Sequence, residues 1–176
     1  MRNFFKIGEI NPKPLLLSIL KQPELWDSNT IRTKHEGSAH KDASDILIRF
    51  NDLEKSIDIL DDLDNINYPA FNLLPQIRPL IFDLMRFVEG ERLGRVVITR
   101  LPIGGKILPH KDEGKSAEYY KRYHIFLQNY EGAIFRCGNE VICPNAGDIY
   151  WFNNLIEHEI INNSIDDRIT LIIDIK

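Results

Sequence analysis

Cysteine is scarce in this sequence, with Cys137 and Cys143 the only two among 176 residues. Two thiols cannot build the disulfide framework of a small secreted domain. A hairpin could bring them face to face, but both are read as reduced thiols of a cytoplasmic chain. Long apolar runs are missing too. No stretch approaches the roughly 18 residues a membrane span needs, so no membrane association is expected. The opening Met1–Glu9 carries charge too early for a signal-peptide core. Positive charge is not in excess. Lys and Arg number 22 against 26 Asp and Glu, a formal net charge of -4, which argues against general nucleic-acid binding. No internal repeat, low-complexity tract or second domain is visible. What is present is an ordinary globular composition, 43% hydrophobic and 27% charged, with enough chain for one domain over 1–176 and a substantial core.

Patterning divides the chain near residue 93. Residues 12–27 read as a helix, with Leu15, Leu16, Ile19, Leu20 and Leu25 near helical spacing and Pro14 in the first turn. Residues 30–44 are polar and turn-rich and carry His35 and His40, and residues 45–50 read as a strand. The acidic run from Leu53 to Ile66 reads as a solvated surface. Residues 74–88 form an amphipathic helix ending before Gly90. From 94 on, short strands separated by Gly, Asn and Pro turns follow one another: 96–101, 122–127, 133–137, 140–142, 149–152, 159–162 and 169–175. The expected fold is mainly β with supporting N-terminal helices, an α+β chain whose residues 94–176 form a double-stranded β-helix, the cupin-like jelly roll. Residues 1–93 would support that core.

The residues that carry chemistry lie in the second half. Pro109-His110-Lys111-Asp112 is a His-x-Asp pair closing a short strand, His158 opens another strand, and Arg168 opens the last one. Two imidazoles and one carboxylate suit one face of an Fe(II) ion, leaving positions for a chelating cosubstrate and dioxygen. Such a site needs a fixed cation for the far carboxylate of 2-oxoglutarate, and Arg168, planar and permanently charged, is placed to supply it. Arg122 and His124 flank Tyr123 and therefore share one strand face. By the same alternation, Trp151 and Asn153 face away from Tyr150 and Phe152. Residues 114–120, just after the His-x-Asp loop, are a candidate lid.

With Thr99, Pro109-His110, Arg122-x-His124, the 135–140 hairpin, Glu157-His158-Glu159 and Arg168 in this order, the chain from about Gly94 to Ile175 resembles the aspartyl/asparaginyl β-hydroxylase-like Fe(II)/2-oxoglutarate oxygenases. The resemblance implies that His110 and His158 bind iron. It implies that Arg168, assisted by Thr99, holds the distal carboxylate of 2-oxoglutarate, with Arg122 and His124 at the keto-acid end. The 30–50 segment would form one wall of the substrate cleft. Animal members lack the acidic ligand that Asp112 supplies here, giving a full His110, Asp112, His158 set. The expected activity is hydroxylation of an unactivated C–H bond of an amino-acid or peptidyl substrate, with Fe(II), 2-oxoglutarate and O2 consumed to succinate and CO2. With no docking module in view, a small-molecule or short peptide substrate is expected. Two other readings stay open: a cupin-like metalloprotein of different chemistry, which has no need of Arg168, and a catalytically silent binding module, whose sign would be a lost ligand.

Overall fold

A computed structural model describes residues 2–176. Strand β1 (Phe4–Glu9) leads to helix α1 (Lys13–Leu20) and a 3-10 turn at Pro23–Leu25. A polar loop follows, then β2 (Ser44–Phe50), the short β3 (Ile66–Asn67), α2 (Ala70–Leu73) and α3 (Ile77–Phe87). The second half runs β4 (Leu93–Leu101), β5 (Lys106–His110), α4 (Gly114–Tyr119), β6 (Lys121–Gln128) and β7 (Ala133–Cys137). It closes with β8 (Glu140–Ile142), β9 (Asp148–Phe152), β10 (His158–Asn162) and β11 (Arg168–Ile175).

The strands make a seven-stranded sheet, ordered β1-β9-β6-β11-β4-β2-β3, and a four-stranded sheet, ordered β5-β10-β7-β8. Neighbours pair antiparallel throughout. The two sheets face each other as a double-stranded β-helix. An aromatic core of Phe4, Phe126, Phe135 and Phe152 with Leu101, Ile107 and Ile160 fills the space between them. On the outside of the larger sheet lies a second, aliphatic core. There, Leu15 and Ile19 of α1 and Ile77, Ile81 and Leu84 of α3 meet Ile125, Ile169, Leu171, Ile173 and Ile175. The helices form because those residues recur at helical spacing, and they are held because that stripe must be buried against a sheet face. No helix among the described residues is long and apolar enough to cross a membrane.

Prolines explain where the elements depart from the expected ranges. The first helix stops at Leu20 because Pro23 cannot continue it, and Pro23–Leu25 makes a tighter turn instead. The third helix starts at Ile77, not Leu74, because Pro75 pushes Leu74 out of the helical region, to φ -117 and ψ 65. Strand β1 is an addition to the expected pattern. It is an edge strand with Phe4 in the aromatic core, Phe5 against Trp151 and Ile7 partly buried against the aliphatic core, while Lys6 and Glu9 are exposed. Tyr150 and Phe152 turn inward and Trp151 outward, as alternation requires. Cys137 is buried and Cys143 exposed, and both are free thiols.

Candidate active site

His110 and His158 are direct partners across the β5–β10 pairing, which sets their rings 4.3 Å apart by centroids. Asp112 lies two residues past the end of β5, its backbone N–H donating to Asn154 O at 3.0 Å. One ligand atom from each of His110, Asp112 and His158 falls within 4.8 Å of the others. His110 Nε2 is 3.9 Å from Asp112 Oδ1. The Nδ1 atoms of His110 and His158 lie 2.7 and 2.9 Å from the carbonyls of Leu108 and Ile156. A carbonyl only accepts, so both Nδ1 atoms carry the hydrogen and both Nε2 lone pairs are left to bind a metal. Burial pushes the His158 imidazole down to about 4, against the pull of Asp112, so it stays neutral as a ligand must. Burial alone would raise the Asp112 carboxyl, but Arg122 and the two imidazoles outweigh it and hold the group below its usual range. This donor set, with two imidazoles, one ionised carboxylate and no thiolate, fits ferrous iron.

Behind these three residues the barrel interior carries polar atoms that find no partner among the described residues. They are Nε and Nη2 of Arg168, both ring nitrogens of His124, and Oγ1 of Thr170. All three side chains are buried. Arg168 lies over the faces of Phe126 (5.1 Å) and Phe135 (5.9 Å), and His124 stacks on Phe135 at 5.3 Å. Pairing of β11 with β6 sets Thr170 opposite Phe126, Ile172 opposite His124 and Asp174 opposite Arg122. The groups therefore run along one interior wall from Arg168 at depth toward the ligand set. Burial pushes the guanidinium down to about 9, still charged at neutral pH, and drives His124 well below its ordinary value, so that ring is neutral. A buried cation with no counter-ion is costly unless an anion arrives to meet it. A slot with a cation at its far end and neutral donors along its side fits a dicarboxylate such as 2-oxoglutarate.

Arg122 does something the sequence did not suggest. Its guanidinium holds both oxygens of Asp174 at 2.7 and 2.8 Å and reaches Asp112 Oδ2 at 2.5 Å. Asp174 and Arg122 thus form a brace that fixes one oxygen of Asp112 and leaves the other facing the imidazoles. Thr99 lies deep in the interior and donates Oγ1 to Asp45 Oδ1 at 2.7 Å, and Asp45 is in turn paired with Arg32 at 2.8 Å. Its hydroxyl proton is committed, whereas Thr170, its register partner, keeps a free one.

The ligand set opens into a cleft of about 850 Å³. Arg32, His35, Gly37, Ala39 and His40 form one wall; Ile57–Leu60 another; Arg95, Val97, Ile172 and Asp174 the floor. His40 is half-buried, with its ring 4.8 Å from that of His110. Helix α4 is tied down rather than free to move as a lid. Ser116 N–H donates to Leu60 O, Tyr120 Oη to Leu63 O and Asn154 Nδ2 to Ala117 O. Gly114 makes that contact possible: at φ +84 any Cβ would lie 2.6 Å from Leu60 O. Thr170 and Asp174 were reachable from sequence, since Arg168, Thr170, Ile172 and Asp174 share one face of a strand. Arg32 and His40 lie in an aperiodic loop that offered no such signal.

Over residues 21–176 the sequence matches the family model described as aspartyl/asparaginyl beta-hydroxylase. No curated protein matches it. Among solved structures it is similar to a prolyl hydroxylase from Trichoplax adhaerens, in complex with a hypoxia inducible factor peptide fragment (TM-score 0.64, 10% identity, 98% of this chain and 83% of that one). It is also similar to the viral collagen prolyl hydroxylase of Paramecium bursaria Chlorella virus-1, in its 2OG complex (TM-score 0.60, 10% identity, 99% and 96%). A 2OG-Fe(II) oxygenase family oxidoreductase from Burkholderia pseudomallei gives TM-score 0.57 at 18% identity over 76% of this chain, which spans 66% of that protein. At these identities the likeness is one of fold.

Proposed function

Since the chain belongs to the aspartyl/asparaginyl β-hydroxylase family, we propose that it is an Fe(II)- and 2-oxoglutarate-dependent dioxygenase. It would hydroxylate an unactivated C–H bond of an amino-acid or short peptidyl substrate and release succinate and CO2. The observation that carries this reading is the buried Arg168 guanidinium, lacking a counter-ion on the same interior wall that leads to His110, Asp112 and His158. A cupin of other chemistry has no use for that cation.

His110, Asp112 and His158 would hold the iron. With 2-oxoglutarate and O2 bound, iron supplies the oxidant that such C–H chemistry requires. The remaining work is the protein's. Arg168 receives the distal carboxylate as a charge-assisted pair, and Thr170 donates to the same end, with Thr99 behind it. His124, neutral and clamped by Phe135 and Phe152, offers one N–H donor toward the keto-acid end. Arg122, held by Asp174, keeps Asp112 ionised and aimed. The aromatic core excludes water around these groups. The cleft beyond is roomy enough for an amino acid or a short peptide segment.

Oxygen-dependent conversion of 2-oxoglutarate to succinate by the iron-reconstituted protein tests the reading. Iron-loaded protein that consumes no 2-oxoglutarate with the standard amino acids or short Asp- and Asn-containing peptides would refute it.

A further inference from the structure

The charged groups that line the cleft sort into those already answered and one that is not. Arg32 is paired with Asp45, and Arg122 with Asp112 and Asp174. Lys111, Asp58 and Glu113 are exposed at the rim, where water answers them. Arg95 is different. It is half-buried in the cleft floor, and its guanidinium donates Nε to Asn51 Oδ1 at 3.0 Å and Nη2 to Ile59 O. Both acceptors are neutral, and among the described residues no carboxylate is hydrogen-bonded to Arg95. The guanidinium lies over the Phe50 ring at 4.7 Å, which fixes its plane. Nothing holds Nη1. Beside it the floor carries Val97 and Ile172, together with Asp174, whose carboxylate like that of Asp112 is hydrogen-bonded to Arg122 and not to Arg95.

A planar cation fixed in place, short of a counter-ion and bordered by apolar surface, is a receptor for a carboxylate with a hydrocarbon portion. Building on the oxygenase reading above, we propose that Arg95 is the specificity residue of this site and binds a carboxylate of the substrate itself. This carboxylate is separate from the one that 2-oxoglutarate gives to Arg168. The floor around Val97 and Ile172 then presents the substrate's C–H bonds toward the ligand set. Burial pushes the Arg95 guanidinium down to about 10, in keeping with a cation that an incoming anion would relieve. The carboxylate could be the α-carboxylate of a free amino acid or the side chain of Asp or Glu in a peptide.

The experiment measures succinate formation by iron-loaded protein with 2-oxoglutarate and four probe sets. They are the standard L-amino acids, their carboxamides, N-acetyl-Asp and N-acetyl-Glu N-methylamides, and the matching Asn and Gln compounds. At least one acid should stimulate turnover, with its amide weaker by roughly tenfold or more, the loss of one charge-assisted pair. Stimulation confined to the first set identifies a free amino acid, and stimulation by the third a peptidyl acid. In Arg95→Gln the KM for the active acid should rise by a similar factor and Arg95→Lys should recover part of it, while the KM for 2-oxoglutarate barely moves. The acid-against-amide comparison needs only the natural chain, so a variant that fails to fold does not decide the outcome. Amides as effective as acids, an unchanged KM in Arg95→Gln, or stimulation by none of the acids would overturn the assignment. Turnover that persists in those cases leaves the oxygenase reading standing. No 2-oxoglutarate consumption in any set overturns both.

Discussion

Along β11, Ile169, Leu171, Ile173 and Ile175 pack against the helices, whereas Arg168, Thr170, Ile172 and Asp174 turn toward the smaller sheet. Both faces are buried. The outer face is closed: aliphatic groups meet aliphatic groups and nothing is left wanting. The inner face places a guanidinium, a hydroxyl and, from β6, an imidazole where they find no partner among the described residues. Unmet polar groups in an interior are costly, so their presence calls for a partner from outside the chain. Burial alone therefore does not separate core from site. Whether the buried groups satisfy one another does.

Four changes would break or sharpen that contrast, taken from the largest effect to the smallest. Asp112→Ala removes one of the three proposed metal ligands and one of the two carboxylates that Arg122 grips; turnover should vanish and iron binding, read by equilibrium dialysis, should collapse. Leu171→Ala opens a cavity on the closed face. Denaturant unfolding should show a loss of roughly 2–5 kcal/mol, with the 2-oxoglutarate Kd unchanged. Arg168→Met should do the reverse. The 2-oxoglutarate affinity measured by calorimetry should fall by roughly 1.5–3 kcal/mol, while the cosubstrate-free protein is as stable as before or more so, because a buried unpaired charge is gone. Thr170→Val is a fainter version of the same test, with roughly 0.5–1.5 kcal/mol of 2-oxoglutarate affinity lost and no loss of fold stability.

Acid adds a condition rather than a substitution. His158 is held neutral down to about 4 when folded, whereas an unfolded histidine takes its proton near 6.5. The unfolded state therefore binds protons first as pH falls, and stability present above about pH 6.5 is lost progressively down to about pH 4. Buried His124 and half-buried His40 are shifted in the same direction. For His158 alone the loss approaches about 3 kcal/mol at the acid end, which urea unfolding of metal-free protein across this range would report.

Much of this was legible in the sequence where spacing carried it. His110 and Asp112 at the end of one strand and His158 at the start of another could be placed together because strand ends converge at a barrel mouth, whereas Arg168, opening the last strand, lies at depth at the far end of the same wall. Arg122 and His124 could be put on one face because strands alternate. What Arg122 grips could not be read, since Asp174 lies 52 positions away and meets it only through the β6–β11 register. Thr99 and Thr170 are register partners of like chemistry, and only the hydrogen bond to Asp45 separates the committed hydroxyl from the free one. Arg32 and His40 sit in a loop with no period; the family resemblance put their segment on the cleft wall, but which of its side chains face the cleft awaited the fold. Strand β1 went unread because Phe4 and Ile7 pack on different cores and the register shifts between Lys6 and Gly8, which leaves little alternation to find.

The most direct measurement is an anaerobic titration of Fe(II)-loaded protein with 2-oxoglutarate, followed by visible absorption and repeated with Arg168→Met. The account predicts the weak charge-transfer band of a keto acid chelated to ferrous iron, saturating with 2-oxoglutarate and requiring far more of it in the variant. Tight iron binding with no band, or a band equally easy to saturate without Arg168, would contradict it.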